Sequence, residues 1–181
     1  MFAGIIKHIS KVKALRRFGN GMELILDNPF PLENLEVGDS ISVDGVCLTL
    51  EEFNQSKLRF FVSSQTLLDT TLGRLRVGKK VNVEESLRFG DKIGGHILSG
   101  HVNAIGRILF IRSVGRDYRM RVQVARGNLE LNVKGSIGLD GISLTIQDCG
   151  YRWFEVVIIP HTYSVTTLKY KRSGDLVNLE G

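Results

Sequence analysis

Hydrophobic and polar positions alternate along most of this chain, and the alternation predicts strands. Tyr118-Arg119-Met120-Arg121-Val122-Gln123-Val124 changes character residue by residue, the mark of a strand with one face buried. Met22–Leu26, Ser40–Val43 and Phe154–Ile159 read the same way. Glycine-bearing turns such as Asp44-Gly45 and Asp140-Gly141 separate these runs. Only the segments near Pro31–Leu35 and Thr66–Leu72 suit a short helix. Many short strands at even spacing predict an all-β sandwich or barrel.

The chain also repeats itself. Residues 37–50 and 133–146 are identical at seven of fourteen positions, an offset of 96. The same offset carries Thr66, Thr70, Thr71 and Leu72 onto Thr162, Thr166, Thr167 and Leu168. It carries Gly78, Val81, Asn82 and Glu84 onto Gly174, Val177, Asn178 and Glu180, and Gly4 onto Gly100. Self-similarity over half a chain predicts two copies of one folding unit. The glycine-rich stretch Phe89–His96 places the boundary, giving domains 1–92 and 93–181.

Composition narrows the function. No stretch has the roughly 18 to 20 consecutive apolar residues of a membrane span, and the start lacks a basic-then-apolar signal. The two cysteines, Cys47 and Cys149, form no disulfide framework. These features predict a soluble, cytoplasmic protein. Net charge is +5, but the basic residues are scattered, which argues against nucleic acid. Their densest run, Lys169-Tyr170-Lys171-Arg172, reads as a solvated face.

Duplication keeps a scaffold, so polar differences between equivalent positions mark divergent chemistry. Cys47 stands opposite Ser143, His101 opposite Ile5, Gln65 opposite His161 and Gly38 opposite Lys134. The shared Thr49 and Thr145 give each copy the same hydroxyl. Each has a plainer explanation. Cys47 has apolar neighbours and suits a core; Ser143 could satisfy a turn; Lys134 suits a surface turn. Their concentration in the repeated motif favours a site. His96 and His101 do not form a metal pair, for no third ligand lies at suitable spacing. Ser143, His101 and Asp140 supply the residue types of a hydrolase triad, but Gly141-Ile142-Ser143-Leu144-Thr145 lacks the second glycine of a nucleophile elbow. Nucleotide-binding glycine motifs are absent.

Four segments carry a resemblance: Met1–Ile6, Asp44–Thr49, Phe89–His101 with its core Gly94-Gly95-His96-Ile97-Leu98-Ser99-Gly100-His101, and Ile137–Thr145. Together they resemble the riboflavin synthase family, α-chain type, over essentially the whole chain. The resemblance implies two tandem six-stranded Greek-key β-barrels related by pseudo-twofold symmetry, with few short helices. It implies a homotrimer and a dismutation without metal or organic cofactor. Two molecules of 6,7-dimethyl-8-ribityllumazine would exchange a four-carbon unit to give riboflavin and 5-amino-6-ribitylamino-pyrimidinedione. The rival is a non-catalytic lumazine- or flavin-binding protein of the same fold.

Carried over by position, the resemblance implies catalytic roles for Phe2, Ser40, Cys47, His101, Asp140 and Ser143. Phe2, Ser40, Cys47 and His101 would surround the N-terminal pocket; Lys134, Asp140, Ser143 and Thr145 would surround the C-terminal one. His101 would help remove a proton from the acidic 7-methyl group. Substrate contacts would come from Gly4, Ile5, Ile6, Leu48, Thr49, Phe61, Val62, Ser63, Ser64, Gly100, Val102, Leu144, Ile159, Pro160, Tyr163 and Ser164. Gln65-Thr66 and His161-Thr162 would reach the ribityl chain. Ala3 stands where the family often has Thr, and Gln65 and His161 stand where it commonly has Glu. The chain ends at Gly181, before the family's usual acidic residue and the helix through which its trimer associates. Residues 1–92 alone are expected to bind lumazine or riboflavin.

Overall fold

The alternation seen in the sequence closes into two barrels. The computed structural model describes residues 1–181. The first barrel consists of β1 (His8–Phe18), β2 (Gly21–Leu26), β3 (Ser40–Val43), β4 (Val46–Asn54), β5 (Lys57–Val62) and β6 (Lys80–Glu85). The second consists of β7 (Ala104–Val114), β8 (Asp117–Gly127), β9 (Ser136–Leu139), β10 (Ile142–Gly150), β11 (Trp153–Ile158) and β12 (Leu176–Glu180). The strands close in the order β1-β2-β5-β4-β3-β6, and the second barrel repeats that order with every strand advanced by six. Jumping from β2 to β5 and returning through β4 and β3 is a Greek key, and closure leaves no free sheet edge.

Period-two alternation decides which side chains enter each barrel. In β4, Val46, Leu48 and Leu50 are buried, while Cys47 and Thr49 face outward; in β8, Met120, Val122 and Val124 are buried. Bulges recur at equivalent places, between Val12 and Ala14 and between Ile108 and Phe110. They recur also after Leu50 and after Ile146. A bulge bends a strand sharply, which a six-stranded closure requires. The result is two separate cores, of 16 and 17 buried residues. Each fully buried aliphatic or aromatic side chain contributes roughly 1.5–3 kcal/mol, so each barrel holds its own stabilising core.

The helical segments are short. The short helix expected near Pro31–Leu35 is a 3-10 helix at Leu32–Asn34. The expected helix near Thr66–Leu72 is α1 (Ser64–Asp69) followed by a 3-10 turn, and its counterpart is α2 (Pro160–Val165). Ser63 caps α1, its Oγ accepting from Thr66 N at 3.2 Å. No helix is long and apolar enough to cross a membrane. Residues 86–103 link the barrels, and the expected boundary at 92/93 falls inside this linker.

The barrels meet at their two Asp-Gly turns. Asp44 (φ 45°) and Gly45 (φ 80°), like Asp140 (φ 46°) and Gly141 (φ 78°), have the paired positive φ of a tight hairpin turn. A Cβ on Gly45 would lie 2.7 Å from Gly141 N, and one on Gly141 would lie 2.9 Å from Gly45 N. Backbone therefore touches backbone here. Two asparagines lace the turns crosswise. Asn82 Nδ2 donates to Asp140 O at 2.9 Å, and Asn178 Nδ2 donates to Asp44 O at 2.8 Å. Asn82 Oδ1 accepts from Thr167 N, and Asn178 Oδ1 from Thr71 N, both at 2.8 Å. Asp44 Oδ1 and Asp140 Oδ1 each accept the backbone N–H of the asparagine in their own barrel at 2.7 Å.

One ion breaks the symmetry. Lys171 Nζ lies 2.5 Å from Asp140 Oδ2, both groups buried. The position equivalent to Lys171 is Leu75, so Asp44 has no such partner. The basic run is therefore not wholly a solvated face, because Lys171 turns inward. Burial, together with the neighbouring Asp140 carboxylate, pushes the Asp44 carboxyl up to about 7. Its unfolded value is near 3.8, so the folded state holds a proton that the unfolded state has released between these limits. Stability therefore falls as pH rises from about 4 through about 7. Asp44→Asn keeps the Oδ1 acceptor and removes the ionisation. We expect it to be more stable than the parent by about 1 to 3 kcal/mol at a pH of about 8, with a flatter stability profile below that. Chemical denaturation across this range measures both, and a parallel loss in the two proteins would contradict the assignment.

Candidate active site

The outward face of β4 presents Cys47 and Thr49, and that of β10 presents Ser143 and Thr145. Each is covered by an arm from the other half of the chain. Cys47 N donates to Gly100 O, and Ser143 N donates to Gly4 O, both at 2.9 Å. A Cβ on Gly100 would lie 2.5 Å from Cys47 Cβ, and one on Gly4 would lie 2.6 Å from Ser143 Cβ. Both glycines also have positive φ, 82° and 71°, so no other residue fits either place without strain. The two arms meet at Phe2 and Leu98, themselves 96 residues apart, which exchange backbone hydrogen bonds at 2.8 and 2.9 Å. Ile6 of the first arm joins the core of the second barrel, and Val102 of the second arm packs on the core of the first.

Two carboxylates fix the arms. Glu84 accepts from Ala3 N at 2.9 Å and Gly4 N at 3.2 Å. Glu180 accepts from Ser99 N at 2.6 Å, Ser99 Oγ at 2.7 Å and Gly100 N at 3.0 Å. Burial raises the Glu84 carboxyl above its ordinary value, opposed by the N–H groups it accepts.

The two copies differ where they face the arms. Beside Cys47 stand Gly100 and the exposed His101, whose own N–H donates to Ser99 Oγ at 3.1 Å. Cys47 is half-buried and outside the core cluster of its barrel. Beside Ser143 stands His96. Its Nδ1 lies 2.6 Å from Ser143 Oγ, and its backbone N–H donates to the same oxygen at 3.2 Å. Burial lowers the His96 imidazole below 6.5, with the Glu180 charge opposing. A neutral ring accepts a proton, so Ser143 and His96 form a hydroxyl–base pair. Sequence reasoning missed His96, and the repeat gave no help: its counterpart would precede residue 1.

The other candidate residues divide by position. Thr49 and Thr145 are exposed on the same faces as Cys47 and Ser143, and Ser40 pairs with Thr49 across β3 and β4. Ile5, Phe61, Ser63, Gln65, Ile159, Pro160, His161 and Ser164 are exposed around those faces; Ser64, Thr66 and Thr162 are half-buried. Gln65 is turned to Asp69, and Tyr163 stacks on Tyr118 with ring centres 3.7 Å apart. Lys134 donates to Gln147 Oε1 at 3.2 Å. Phe2, Leu48, Val62, Asp140 and Leu144 are buried. Their side chains are committed to the interior, so they support the site from behind. A cavity of about 570 Å3 is bordered by Ile5, Lys7, His8, Phe30, Glu84 and Arg88.

Two equivalent strand faces, each covered by the other half's arm and bearing unlike side chains at Cys47 and Ser143, define a duplicated β-barrel protein. The lumazine binding domain model matches residues 3–86 and again 99–181. The chain is 43% identical over 181 residues to the riboflavin synthase of Chlamydia pneumoniae, covering 99% of this chain and 89% of that one. It is 37% identical over 183 residues to that of Escherichia coli (strain K12), covering 99% and 86%. The fold matches LumP complexed with 6,7-dimethyl-8-(1'-D-ribityl) lumazine at a TM-score of 0.88 and 24% identity, covering 100% of this chain and 99% of that one. LumP complexed with riboflavin matches at 0.90 and 23%, covering 99% and 98%. The chain therefore belongs to the lumazine binding domain family, on its riboflavin synthase branch, and is an enzyme of the transferase class.

The exchanged arms alter what is expected of a fragment. Residues 1–92 include the arm Gly4–Ile6, which packs on the absent barrel, and lack Gly100–Val102, which cover Cys47. A second copy of the fragment can supply its own Gly4–Ile6 in that place, because the two arms are equivalent. We expect the fragment to bind riboflavin only as a dimer. Sedimentation combined with fluorescence titration checks this; tight binding by a monomer would contradict it.

Proposed function

We propose that this protein is a riboflavin synthase acting on two molecules of 6,7-dimethyl-8-ribityllumazine. One donates a four-carbon unit to the other, giving riboflavin and 5-amino-6-ribitylamino-pyrimidinedione. The observation that carries the reading is the pairing of two equivalent arm-covered faces, one with Cys47 and the other with Ser143 and His96. Like faces suit like substrates; unlike groups suit a donor and an acceptor. Holding both reactants in fixed orientation converts an encounter into an oriented reaction.

In this reading His101, exposed beside Cys47, assists removal of the acidic 7-methyl proton. Cys47 and Ser143 contact the reacting ring region, and His96 keeps the Ser143 oxygen ready to give up its proton. Thr49 and Thr145 anchor each ring equivalently. Backbone of Gly4–Ile6 and Gly100–Val102 lines the clefts. Thr66 and Thr162, with Gln65 and His161, reach the ribityl chains. Phe2, Ser40 and Asp140 hold the reacting groups in register. Assembly as a homotrimer in the cytoplasm accompanies this reading, in keeping with the family resemblance.

A second reading has support in LumP, which is known in complex with the lumazine and with riboflavin. On it the chain binds such ligands without turnover. Incubation with the lumazine, followed by absorbance and chromatography, separates the two. Riboflavin appearing as one molecule per two lumazines consumed supports the synthase; binding without conversion supports the carrier.

Cys47→Ser and His101→Gln test the assigned chemistry. Each is expected to fold and bind ligand while losing about tenfold to a thousandfold in turnover. Lost stability of roughly 1 to 3 kcal/mol with unchanged turnover per folded molecule would instead mark a packing role. The His96 pair makes a pH prediction. Its folded value lies below 6.5, so the ring takes up its proton only as pH falls beneath that value. Turnover should decline on that acid limb, and His96→Gln should remove the limb while lowering the plateau. A pH–rate profile of both proteins decides it; an unchanged limb in the variant would count against His96.

A further inference from the structure

The basic run Lys169-Tyr170-Lys171-Arg172 is used by neither cleft. It lies at the seam between the barrels, where a cavity of about 270 Å3 is lined by Gly78, Lys79, Lys80, Thr167, Tyr170 and Lys171. Three of these six residues carry an ammonium group and none carries a carboxylate. Lys80 Nζ donates to the Tyr170 hydroxyl at 3.0 Å and lies 4.7 Å from the ring centre. Lys169 Nζ lies 5.3 Å from the same ring. Lys171 is held rigidly from below by Asp140, its side chain 7% exposed. Asp44 and Asp175 are the other carboxylates that attract it. Thr167 is 2% exposed, and its Oγ1 is buried without a hydrogen-bond partner.

Two of these features are unfavourable in isolation. Like charges gathered around one cavity repel, and a buried hydroxyl without a partner loses its solvation uncompensated. A compact anion with several acceptor oxygens relieves both. The duplication supplies an internal control. The equivalent seam consists of Gly174, Asp175, Leu176, Thr71, Arg74 and Leu75. It has one cation and one carboxylate where the first seam has three cations. The positive cluster is therefore not dictated by the scaffold; it is present on one side only. A nucleic acid would need cations spread along a tract to meet successive phosphates. Here they converge on one cavity.

We propose that this seam is a binding site for a phosphate group, either inorganic phosphate or the monoester of a small metabolite. Lys79, Lys80 and Lys171 supply the charge. The Tyr170 hydroxyl oxygen accepts from Lys80 and holds that ammonium at the cavity. The Thr167 hydroxyl donates from the inner wall. Because the site draws on β6 of one barrel and the turn after α2 of the other, its occupant braces the two barrels against each other.

The test uses the intact protein and amide NMR at constant ionic strength. Inorganic phosphate replaces chloride in one arm; ribose 5-phosphate is compared with ribose in the other. Saturable shifts are expected at Gly78, Thr167 and Tyr170, with none at Gly174, Thr71 and Arg74. Lys80→Gln, at an exposed position, should weaken binding about tenfold or more, the loss of one charge-assisted hydrogen bond. Thr167→Val should weaken it as well. Tighter binding of the ester supports a metabolite, and equal binding supports phosphate itself. The proposal is overturned by shifts that do not saturate in the tens of millimolar, or by equal shifts at both seams. It is overturned too if a short RNA shifts these amides and phosphate does not. Conversion of lumazine is read separately, so failure here leaves the catalytic reading untouched.

Discussion

The contact between the Asp44-Gly45 and Asp140-Gly141 turns governs the geometry of everything else. Backbone meets backbone there, with no side chain to adjust the spacing. Cys47 lies two residues beyond one turn and Ser143 two beyond the other, so the reactive groups inherit their separation from that contact. Crosswise donation from Asn82 and Asn178 fixes the register, since each side-chain amide reaches the backbone of the opposite barrel. Buried polar networks of this kind contribute specificity when every member is satisfied. Bulk stability comes from elsewhere, from the two apolar cores that lie on either side of the seam.

Such a framework explains how the copies could diverge without losing their symmetry. The bonds that seat each arm run between backbone atoms: Cys47 N to Gly100 O, and Ser143 N to Gly4 O. They are indifferent to whether the side chain carries a thiol or a hydroxyl. The carboxylates that clamp the arms, Glu84 and Glu180, also bind backbone N–H groups. Positions 47 and 143, and 5 and 101, were thus free to change chemically while staying in place. Lys171 opposite Leu75 shows the same freedom at the seam.

Much of this was legible in the sequence. The 96-residue offset and the strict alternation in segments such as Tyr118–Val124 carry the fold, because both report which face of a strand is buried. Short helices were legible only in the first copy, at Leu32–Asn34 and Ser64–Asp69, while α2 (Pro160–Val165) was not expected. The exchange of arms could not, because Phe2 and Leu98 or Cys47 and Gly100 lie far apart along the chain and no periodic pattern links them. His96 escaped notice for a related reason, having no repeat partner against which to stand out. Asn82 and Asn178 did leave a signal. A polar residue kept in both copies among buried apolar strand positions points to a shared structural bond, as does the Asp44 and Asp140 pair.

Asp140 is wholly committed to the scaffold behind Ser143. Its carboxylate is fully buried, accepting from Asn178 N on one side and meeting Lys171 on the other. Its carbonyl accepts from Asn82. Through these bonds it sets the turn that delivers Ser143 to the Gly4 arm and to His96. Asp44 does the same for Cys47 without a direct ion pair, although Lys171 and Lys79 attract it from farther off. The scaffold therefore places equivalent backbone behind Cys47 and Ser143 and a direct ion pair behind only one of them. On the proposed reading, equivalent backbone lets two like molecules bind alike, and unequal side chains give them different fates.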